Sequence, residues 1–253
     1  MCMILFAYDC HPRYQLVLAA NRDEYYNRPA LPAAFWQDNP AILAGKDLLQ
    51  GGTWMGITNT GRLAGLTNYR DPASYNPQAP SRGQLVQNYL TSGVAPEIYI
   101  ENIANGGAAY NGFNLLLGSY DSLYYYSNRE MMIRKVEKGI HGLSNSLLDV
   151  PWPKVTKGIK SLTACLQNED IHAEDLFAIM ADKEQPDDQD LPHTGVSLEM
   201  ERMLAPAFVV SEKYGTRLTS VILVDRNHRV QFWERSFTNG QPDNEVYYAF
   251  PGK

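Results

Sequence analysis

The chain has 253 residues, of which 44% are hydrophobic, and carries a formal net charge of -6 with 22 lysines and arginines. This length can bury a substantial hydrophobic core, and we expect one domain over residues 1–253. The acidic balance and the scattered basic residues argue against nucleic acid as a partner.

Two short apolar runs open the chain, Met3–Tyr8 and Gln15–Ala20, and the polar segment 9–13 between them has the composition of a turn. The pattern predicts a β-hairpin. The first run lacks a preceding basic segment and stops at Asp9, so we interpret it as a buried strand rather than a secretion signal. No later stretch is long and apolar enough to span a bilayer. Together with only three cysteines, this predicts a soluble cytoplasmic protein with reduced thiols.

A second hairpin of similar size is predicted over Thr53–Thr58 and Leu63–Asn68. From Ser81 the apolar residues recur at helical spacing, and Ser81 and Gln84 have the spacing of a capping box, which predicts a helix. A three-stranded meander is then predicted at Phe113–Gly118, Ser122–Ser127 and Met131–Val136.

The second half of the chain predicts two helices followed by strands. The helices are expected at Pro153–Leu166 and Ala173–Met180, and the acidic segment Ala181–Asp190 is the best candidate for a mobile loop. The strands are expected at Ala207–Val210, Arg217–Val224, Val230–Arg235 and Val246–Phe250. Groups of strands that alternate with groups of helices favour a layered α+β protein with antiparallel sheets.

Cys2 is the residue that most suggests chemistry. Methionine aminopeptidases remove Met1 when the second residue is small, which leaves Cys2 with both a thiol and a free α-amino group. One residue then supplies a nucleophile and a base, because an α-amino group with a pKa of about 7.7–8.0 accepts a proton near neutral pH. The first hairpin would bring Arg22 and Asp23 beside Cys2, where Arg22 would favour the thiolate and Asp23 would orient the amine.

Each of these signals also has a structural interpretation. A Met-Cys start occurs by chance in unrelated proteins, in which case Cys2 is an ordinary buried strand residue. The tetrad Asn21-Arg22-Asp23-Glu24 is equally compatible with a solvated strand end that contains a weak internal ion pair. Three features together favour the functional interpretation: a nucleophile type at position 2, an apolar hairpin of the right length and a polar tetrad at its return.

Motifs in a fixed order extend along nearly the whole chain. They are Met1-Cys2-Met3, Asn21-Arg22-Asp23-Glu24, Gly51-Gly52-Thr53-Trp54-Met55-Gly56, Leu66-Thr67-Asn68-Tyr69-Arg70, Ser81-Arg82-Gly83, Asn111-Gly112-Phe113-Asn114-Leu115, Leu143-Ser144-Asn145, Pro151-Trp152-Pro153-Lys154, Leu191-Pro192-His193-Thr194-Gly195-Val196 and Tyr214-Gly215-Thr216-Arg217. Through them the chain resembles the NRDE-motif, or transport-and-Golgi-organisation, family. That family is similar to the N-terminal-nucleophile (Ntn) hydrolases, which include the conjugated-bile-acid and penicillin V amidohydrolases. The resemblance implies a four-layer αββα sandwich of two antiparallel sheets flanked by helices.

The resemblance also implies roles for individual residues. Asp23 matches the acid that holds the amino group of the nucleophile, and Arg22 lies close to where those enzymes carry an arginine. Asn68 matches an asparagine whose amide donates to the tetrahedral oxyanion, and Asn145 matches one that binds near the amino group or the oxyanion. Arg217 matches an arginine near the floor of the active site. Turn roles for the two asparagines and a strand ion pair for Arg217 are the alternatives.

The sequence therefore predicts a cysteine Ntn hydrolase that cleaves a non-peptide amide or another small acyl substrate through a thioester on Cys2. The alternative is a non-catalytic binding or transfer protein that uses the same pocket for a hydrophobic metabolite, haem or an acyl lipid. A third possibility is a scaffold whose pocket is filled by side chains such as Trp54 and Trp152. The substrate and the oligomeric state stay open.

No metal and no cofactor are predicted. The five histidines are widely separated, and none lies at the spacing of a zinc site. The segment Cys10-His11-Pro12 has the composition of a turn, and we interpret it in that way rather than as a haem ligand.

Overall fold

The computed structural model describes residues 2–106 and 109–252, which contain five α-helices and two β-sheets. The strands are β1 (Cys2–Tyr8), β2 (Tyr14–Tyr25), β3 (Ala30–Phe35), β4 (Ile42–Asp47), β5 (Met55–Thr58), β6 (Leu63–Asn68), β7 (Phe113–Gly118), β8 (Leu123–Ser127), β9 (Met132–Lys135), β10 (Gly139–Leu143), β11 (Tyr214–Asp225), β12 (Arg229–Thr238) and β13 (Gln241–Pro251). The helices are α1 (Gly83–Thr91), α2 (Pro96–Gly106), α3 (Pro153–Cys165), α4 (Ala173–Met180) and α5 (Leu198–Leu204).

Both sheets are antiparallel. Sheet A has the order β10-β1-β2-β11-β12-β13, and sheet B has the order β3-β4-β5-β6-β7-β8-β9. Strand β1 lies inside sheet A between β10 and β2, and all seven of its residues are buried. Because neither face of this strand meets solvent, its sequence is a continuous apolar run rather than an alternating one.

The alternating side chains of β1 separate two cores. Ile4 and Phe6 pack against sheet B in the core between the sheets, whereas Met3 and Leu5 belong to the core beneath helices α3 and α4. A third core lies on the outer face of sheet B, under helices α1 and α2. The layers therefore follow the order αββα, and the predicted α+β four-layer sandwich is confirmed.

Several elements match their predictions closely. Both hairpins, the meander and helices α3 and α4 form where the apolar patterns place them, within one or two residues at most ends. Strand β2 is the informative exception, because it continues to Tyr25 instead of ending at Ala20. The polar tetrad at 21–24 consequently lies within strand β2 rather than beyond a strand end: Asn21 and Arg22 pair with both β1 and β11, and Asp23 and Glu24 pair with β11.

Other expectations were wrong or incomplete. The segment Ala207–Val210 is irregular chain with one isolated bridge to Gly215, not a strand. Helix α1 has Arg82 as its N-cap and no side-chain cap hydrogen bond, so Ser81 does not form a capping box. Strands β3, β4 and β10 and helices α2 and α5 were not predicted. Their sequences lack a clear apolar period, and tertiary contacts such as the pairing of β10 with β1 stabilise them.

Among the described residues, no helix combines the length and the apolar character needed to cross a membrane.

Candidate active site

Cys2 lies at the start of β1, directly opposite Arg22 on β2. Both side chains are on the face of sheet A that looks toward sheet B, and only 6% of Cys2 is exposed. At this end of the sandwich the two sheets leave a cavity of about 210 Å³. Its wall includes Cys2, Arg22, Asp23, Trp54, Asn68 and Arg82. The hairpin thus brings the predicted nucleophile and three residues of the tetrad, Arg22, Asp23 and Glu24, to one cavity.

Asp23 is fixed in place from β11. The Thr216 hydroxyl donates to Asp23 Oδ1 at 2.7 Å, and the Tyr214 hydroxyl donates to the Asp23 main-chain oxygen at 3.1 Å. The residue is 2% exposed. Burial raises the pKa of the Asp23 carboxyl, and the positive charge of Lys154 and the hydrogen bond from Thr216 oppose that rise. A buried carboxylate held in this way is suited to orient a positively charged group.

A buried charge network lies near Asp23. Lys154, in the first turn of α3, donates to the main-chain oxygen of Leu204 at 2.9 Å, and burial lowers the pKa of its amine to about 8. Arg70 Nη1 contacts Glu201 Oε2 at 2.5 Å, with each side chain 4% exposed. Glu201 also accepts from the Thr194 hydroxyl at 2.6 Å. Two fixed positive charges, those of Lys154 and Arg70, therefore lie close enough to Asp23 to oppose the rise in its pKa.

Arg22 forms ion pairs with two acidic side chains. Its Nη2 lies 3.2 Å from Asp47 Oδ2 and 3.7 Å from Glu24. Arg28 Nε donates to the same Asp47 oxygen at 2.6 Å. Burial disfavours the charged carboxylate, but the hydrogen bonds from Arg28 and from the main chain of Gln50 outweigh it and hold the pKa of Asp47 below its ordinary value. The field that Arg22 exerts on the Cys2 thiol is weakened accordingly.

The two predicted asparagines lie next to each other at the end of β6, but only one of them lines the cavity. Asn68 lines the cavity, whereas Asn145 does not. The Asn145 Nδ2 donates to the main-chain oxygen of Asn68 at 2.9 Å, and the main-chain oxygen of Asn145 accepts from Arg70 N at 2.8 Å. Asn145 therefore holds Asn68 in position, and its own amide is engaged in that contact.

Arg217 lies away from the cavity wall. Its Nη1 donates to the main-chain oxygens of Tyr25 and Arg28 at 2.9 and 3.0 Å. Tyr25 is the last residue of β2, and Arg28 lies in the connection between β2 and β3, where it lines the cavity. The structure thus gives Arg217 contact with this connection rather than with the floor of the site.

Burial raises the pKa of the Cys2 thiol above its ordinary value, with Asp23 adding to the rise and Arg22 opposing it. The thiol pKa values of Cys10 and Cys165 are also raised, in both cases chiefly by burial. Burial therefore favours the neutral thiol at each of the three cysteines. For attack by Cys2, a neighbouring base has to remove the proton.

The remaining candidate features have structural roles. Trp54 forms part of the cavity wall without filling it, and Trp152 stacks under the Arg70 guanidinium with its ring centre 4.9 Å away. His11 is buried in the turn after β1, where its Nδ1 accepts from Tyr14 N at 3.3 Å, which confirms the turn interpretation. Within residues 2–106 and 109–252, no three histidine, cysteine or acidic side chains cluster as metal ligands do.

Four residues of the site had no role predicted from the sequence: Asp47, Thr216, Lys154 and Arg82. Thr216, Lys154 and Arg82 lie inside the sequence motifs, so the motifs included these residues but did not reveal their contacts. Asp47 lies at the end of β4, a strand that was not predicted. Its only signal is its place a few residues before Gly51-Gly52, and the fold is needed to bring it to Arg22.

Comparisons with known proteins show which family and which fold this chain resembles. The sequence profile of the family described as Transport and Golgi organisation 2 matches residues 1–239. The Transport and Golgi organization 2 homolog of Mus musculus is 37% identical, over 93% of this chain and 93% of that protein. The Homo sapiens homolog gives the same identity and coverage. The Transport and Golgi organization protein 2 of Drosophila melanogaster is 29% identical, over 97% of this chain and 95% of that protein.

Solved structures with similar folds are Ntn-type hydrolases. The mutant C2A of the conjugated bile acid hydrolase from Clostridium perfringens superposes with a TM-score of 0.56 at 10% identity, over 99% of this chain and 96% of that one. A second variant of the same enzyme gives a TM-score of 0.54 at 9% identity, over 100% and 98%. At such identity the likeness establishes the fold, and the predicted Ntn-hydrolase-like architecture is confirmed.

Proposed function

This chain belongs to the Transport and Golgi organisation 2 family, and we propose that it is a hydrolase that cleaves a non-peptide amide or another small acyl bond through a thioester on Cys2. One observation supports the proposal most strongly. A buried thiol at the second residue lines an open cavity beside Asp23, whose carboxylate accepts a hydrogen bond from Thr216 and whose main-chain oxygen accepts one from Tyr214. Packing alone does not require a nucleophile, a fixed acid and a cavity at one point.

The proposal includes removal of Met1, so that Cys2 carries a free α-amino group. The thiol proton moves to this amine as Sγ attacks the substrate carbonyl carbon, and a C–S bond forms. A neutral thiol suits this step, because proton transfer and attack can then occur together. Asp23 stabilises the ammonium that results, and its burial strengthens the interaction.

The tetrahedral intermediate carries an oxyanion, to which the amide of Asn68 donates. Collapse breaks the C–N bond, and the leaving amine takes its proton from the α-ammonium group. Water then attacks the thioester, passes a proton to the α-amine and releases the acid, which restores the thiol. Asn145 acts as a positioning residue for Asn68 through the 2.9 Å hydrogen bond to its main chain.

Solved structures with a similar fold give weaker support for the proposed hydrolase function. The conjugated bile acid hydrolase is a hydrolase by name, and its mutant C2A has the change at a cysteine in the second position. Cys2 occupies the same place in the present sequence. The analogy concerns the position of the nucleophile and leaves the substrate to be identified.

The test compares two forms of the full-length protein. One form begins at Cys2, and the other retains an uncleaved N-terminal extension that keeps the thiol but blocks the α-amine. We expect the first to hydrolyse members of a series of N-acyl aminocoumarins and the second to be inactive although folded. Equal turnover by both forms would remove the amine from the mechanism.

The cysteine itself is tested with Cys2→Ser and Cys2→Ala, and Cys165→Ala serves as the matched control because Cys165 is also buried but lies in α3. We expect both changes at Cys2 to abolish most turnover and Cys165→Ala to keep it. In cells that depend on this protein, full function of the Cys2→Ala variant would instead favour a transfer protein for a hydrophobic metabolite.

A further inference from the structure

Arg82 is a cation of the cavity that the proposed chemistry does not use. It precedes α1 as the N-cap residue and lines the same cavity as Cys2. Its Nη1 donates to the main-chain oxygen of Gly112 at 2.9 Å. Over the residues that the structure describes, this is the only hydrogen bond of the guanidinium, and it leaves most of the five N–H donors of an arginine unassigned.

The other cations on the cavity wall already have acidic partners. Arg22 and Arg28 both contact Asp47, at 3.2 and 2.6 Å. Lys46 Nζ lies 3.2 Å from Asp38 Oδ1. In contrast, no carboxylate of the described chain lies within ion-pair distance of Arg82. The cavity thus contains one positive charge that the fold itself does not neutralise.

The surroundings of Arg82 make an anionic ligand favourable. The side chain is half-buried, and burial lowers the pKa of its guanidinium below the ordinary value. An arginine pKa starts so high that the group stays charged, so the unpaired charge carries a desolvation cost that an anion would offset. The planar guanidinium can bind a carboxylate or a phosphate through two parallel hydrogen bonds.

Two apolar side chains of the cavity wall are exposed. Leu31 and Tyr75 line the cavity and remain 49% and 66% exposed. Exposed apolar side chains on the wall of a cavity are suited to contact an acyl chain.

We propose that the cavity takes an acyl compound that also carries an anionic group, a carboxylate or a phosphate, and that Arg82 binds this group. The proposal deepens the hydrolase function by naming a substrate class, and it rests on that function only for the cleavage step. Binding itself needs neither the thiol nor the α-amine. An N-acylated amino acid is the simplest compound with the required chemistry.

The test measures binding with the Cys2→Ala protein, in which no cleavage through Cys2 occurs. The probes are N-octanoylglycine, the neutral N-octanoylglycinamide, which differs from it in charge, and N-octanoylaminomethylphosphonate. Calorimetry gives each Kd in the Cys2→Ala background and after addition of Arg82→Gln, Arg82→Lys or Lys46→Gln. Lys46→Gln is the matched control, because it removes one positive charge from the same wall but from a lysine that Asp38 already pairs.

We expect the anionic probes to bind more tightly than the amide, and Arg82→Gln to reduce that preference by about tenfold to a hundredfold, the range for a charge-assisted hydrogen bond. Arg82→Lys should keep part of the preference, and it provides the measurement if Arg82→Gln does not fold. The two anionic probes show whether carboxylate or phosphate is preferred.

Three results would overturn the proposal. The first is that the Cys2→Ala protein, with Arg82 unchanged, binds the anionic probes and the amide with equal affinity. The second is an equal loss for all probes on changing Arg82, which indicates a structural role. The third is an equal effect of Lys46→Gln, which indicates general attraction by surface charge. Anion binding without hydrolysis by the Cys2 form would contradict the hydrolase function and leave this proposal standing.

Discussion

Two adjacent glycines provide a matched test of how the cavity wall is built. Gly51 and Gly52 both have left-handed backbone conformations, with φ of 69° and 80°. A Cβ at Gly51 would meet nothing within 4 Å, whereas a Cβ at Gly52 would lie 2.6 Å from the carbonyl carbon of Gly83. It would also lie 2.9 Å from Gln84 N. Gly52 therefore packs directly on the first turn of α1, next to Arg82, and Gly51 does not.

The magnitudes follow from these two environments. An alanine in the left-handed region costs about 1–2 kcal/mol, and this cost applies to both Gly51→Ala and Gly52→Ala. Only Gly52→Ala adds overpacking against rigid main chain, which costs a further ~1–3 kcal/mol. We expect the free energy of unfolding to fall by about 1–2 kcal/mol in the first variant and by about 2–5 kcal/mol in the second.

The assay is urea unfolding at equilibrium, in which a change in midpoint at constant slope reports a change in stability. The same proteins are then tested for binding of N-octanoylglycine. Because α1 has to shift to accommodate the methyl group, Gly52→Ala should also weaken binding. Equal losses of stability in the two variants would refute the assigned contact between Gly52 and α1.

Three further changes test the surroundings of the site and the contact between the sheets. Thr216→Val removes two hydrogen bonds of the Thr216 hydroxyl, the one it donates to Asp23 at 2.7 Å and the one it accepts from Val209 N at 2.9 Å, and should cost about 1.5–3 kcal/mol in thermal or urea unfolding, whereas Thr216→Ser should cost less; equal costs would count against these bonds. Arg70→Met leaves Glu201 buried without its partner at 2.5 Å and should cost about 3–5 kcal/mol, and a neutral result would contradict this. Burial raises the pKa of the Glu234 carboxyl from 4.5 to about 7, so the folded state binds its proton more tightly than the unfolded state does. The free energy of unfolding should therefore fall by up to about 3 kcal/mol as pH rises across that window. Glu234→Gln should flatten this part of the stability profile between pH 5 and pH 8, and an unchanged slope would exclude Glu234 as its source.

The first hairpin shows what the sequence could predict. Its two apolar runs and polar turn indicated which strands pair, and the pairing alone placed Arg22 opposite Cys2. The layered architecture followed from the alternation of strand groups and helix groups. These features depend on local patterns, which a single sequence displays directly.

The contacts of the site were harder to predict from the sequence because they join distant parts of the chain. Thr216 reaches Asp23 across 193 positions, and Glu201 reaches Arg70 across 131. The amide of Asn145 binds the main chain of Asn68, a contact that residue type alone does not reveal. Strand β4, which carries Asp47, has no strong apolar period and forms through its neighbours in sheet B.

The central claim is that Cys2 is the first residue of the mature protein and that its thiol reacts. The most direct measurement is the intact mass of untagged protein, taken before and after brief treatment with a limiting amount of iodoacetamide, followed by peptide mapping. We predict a mass without Met1 and a first alkylation at Cys2, ahead of the exposed Cys10 and the buried Cys165. A mass that retains Met1, or a first alkylation at Cys10 or Cys165 with Cys2 unmodified, would contradict the account.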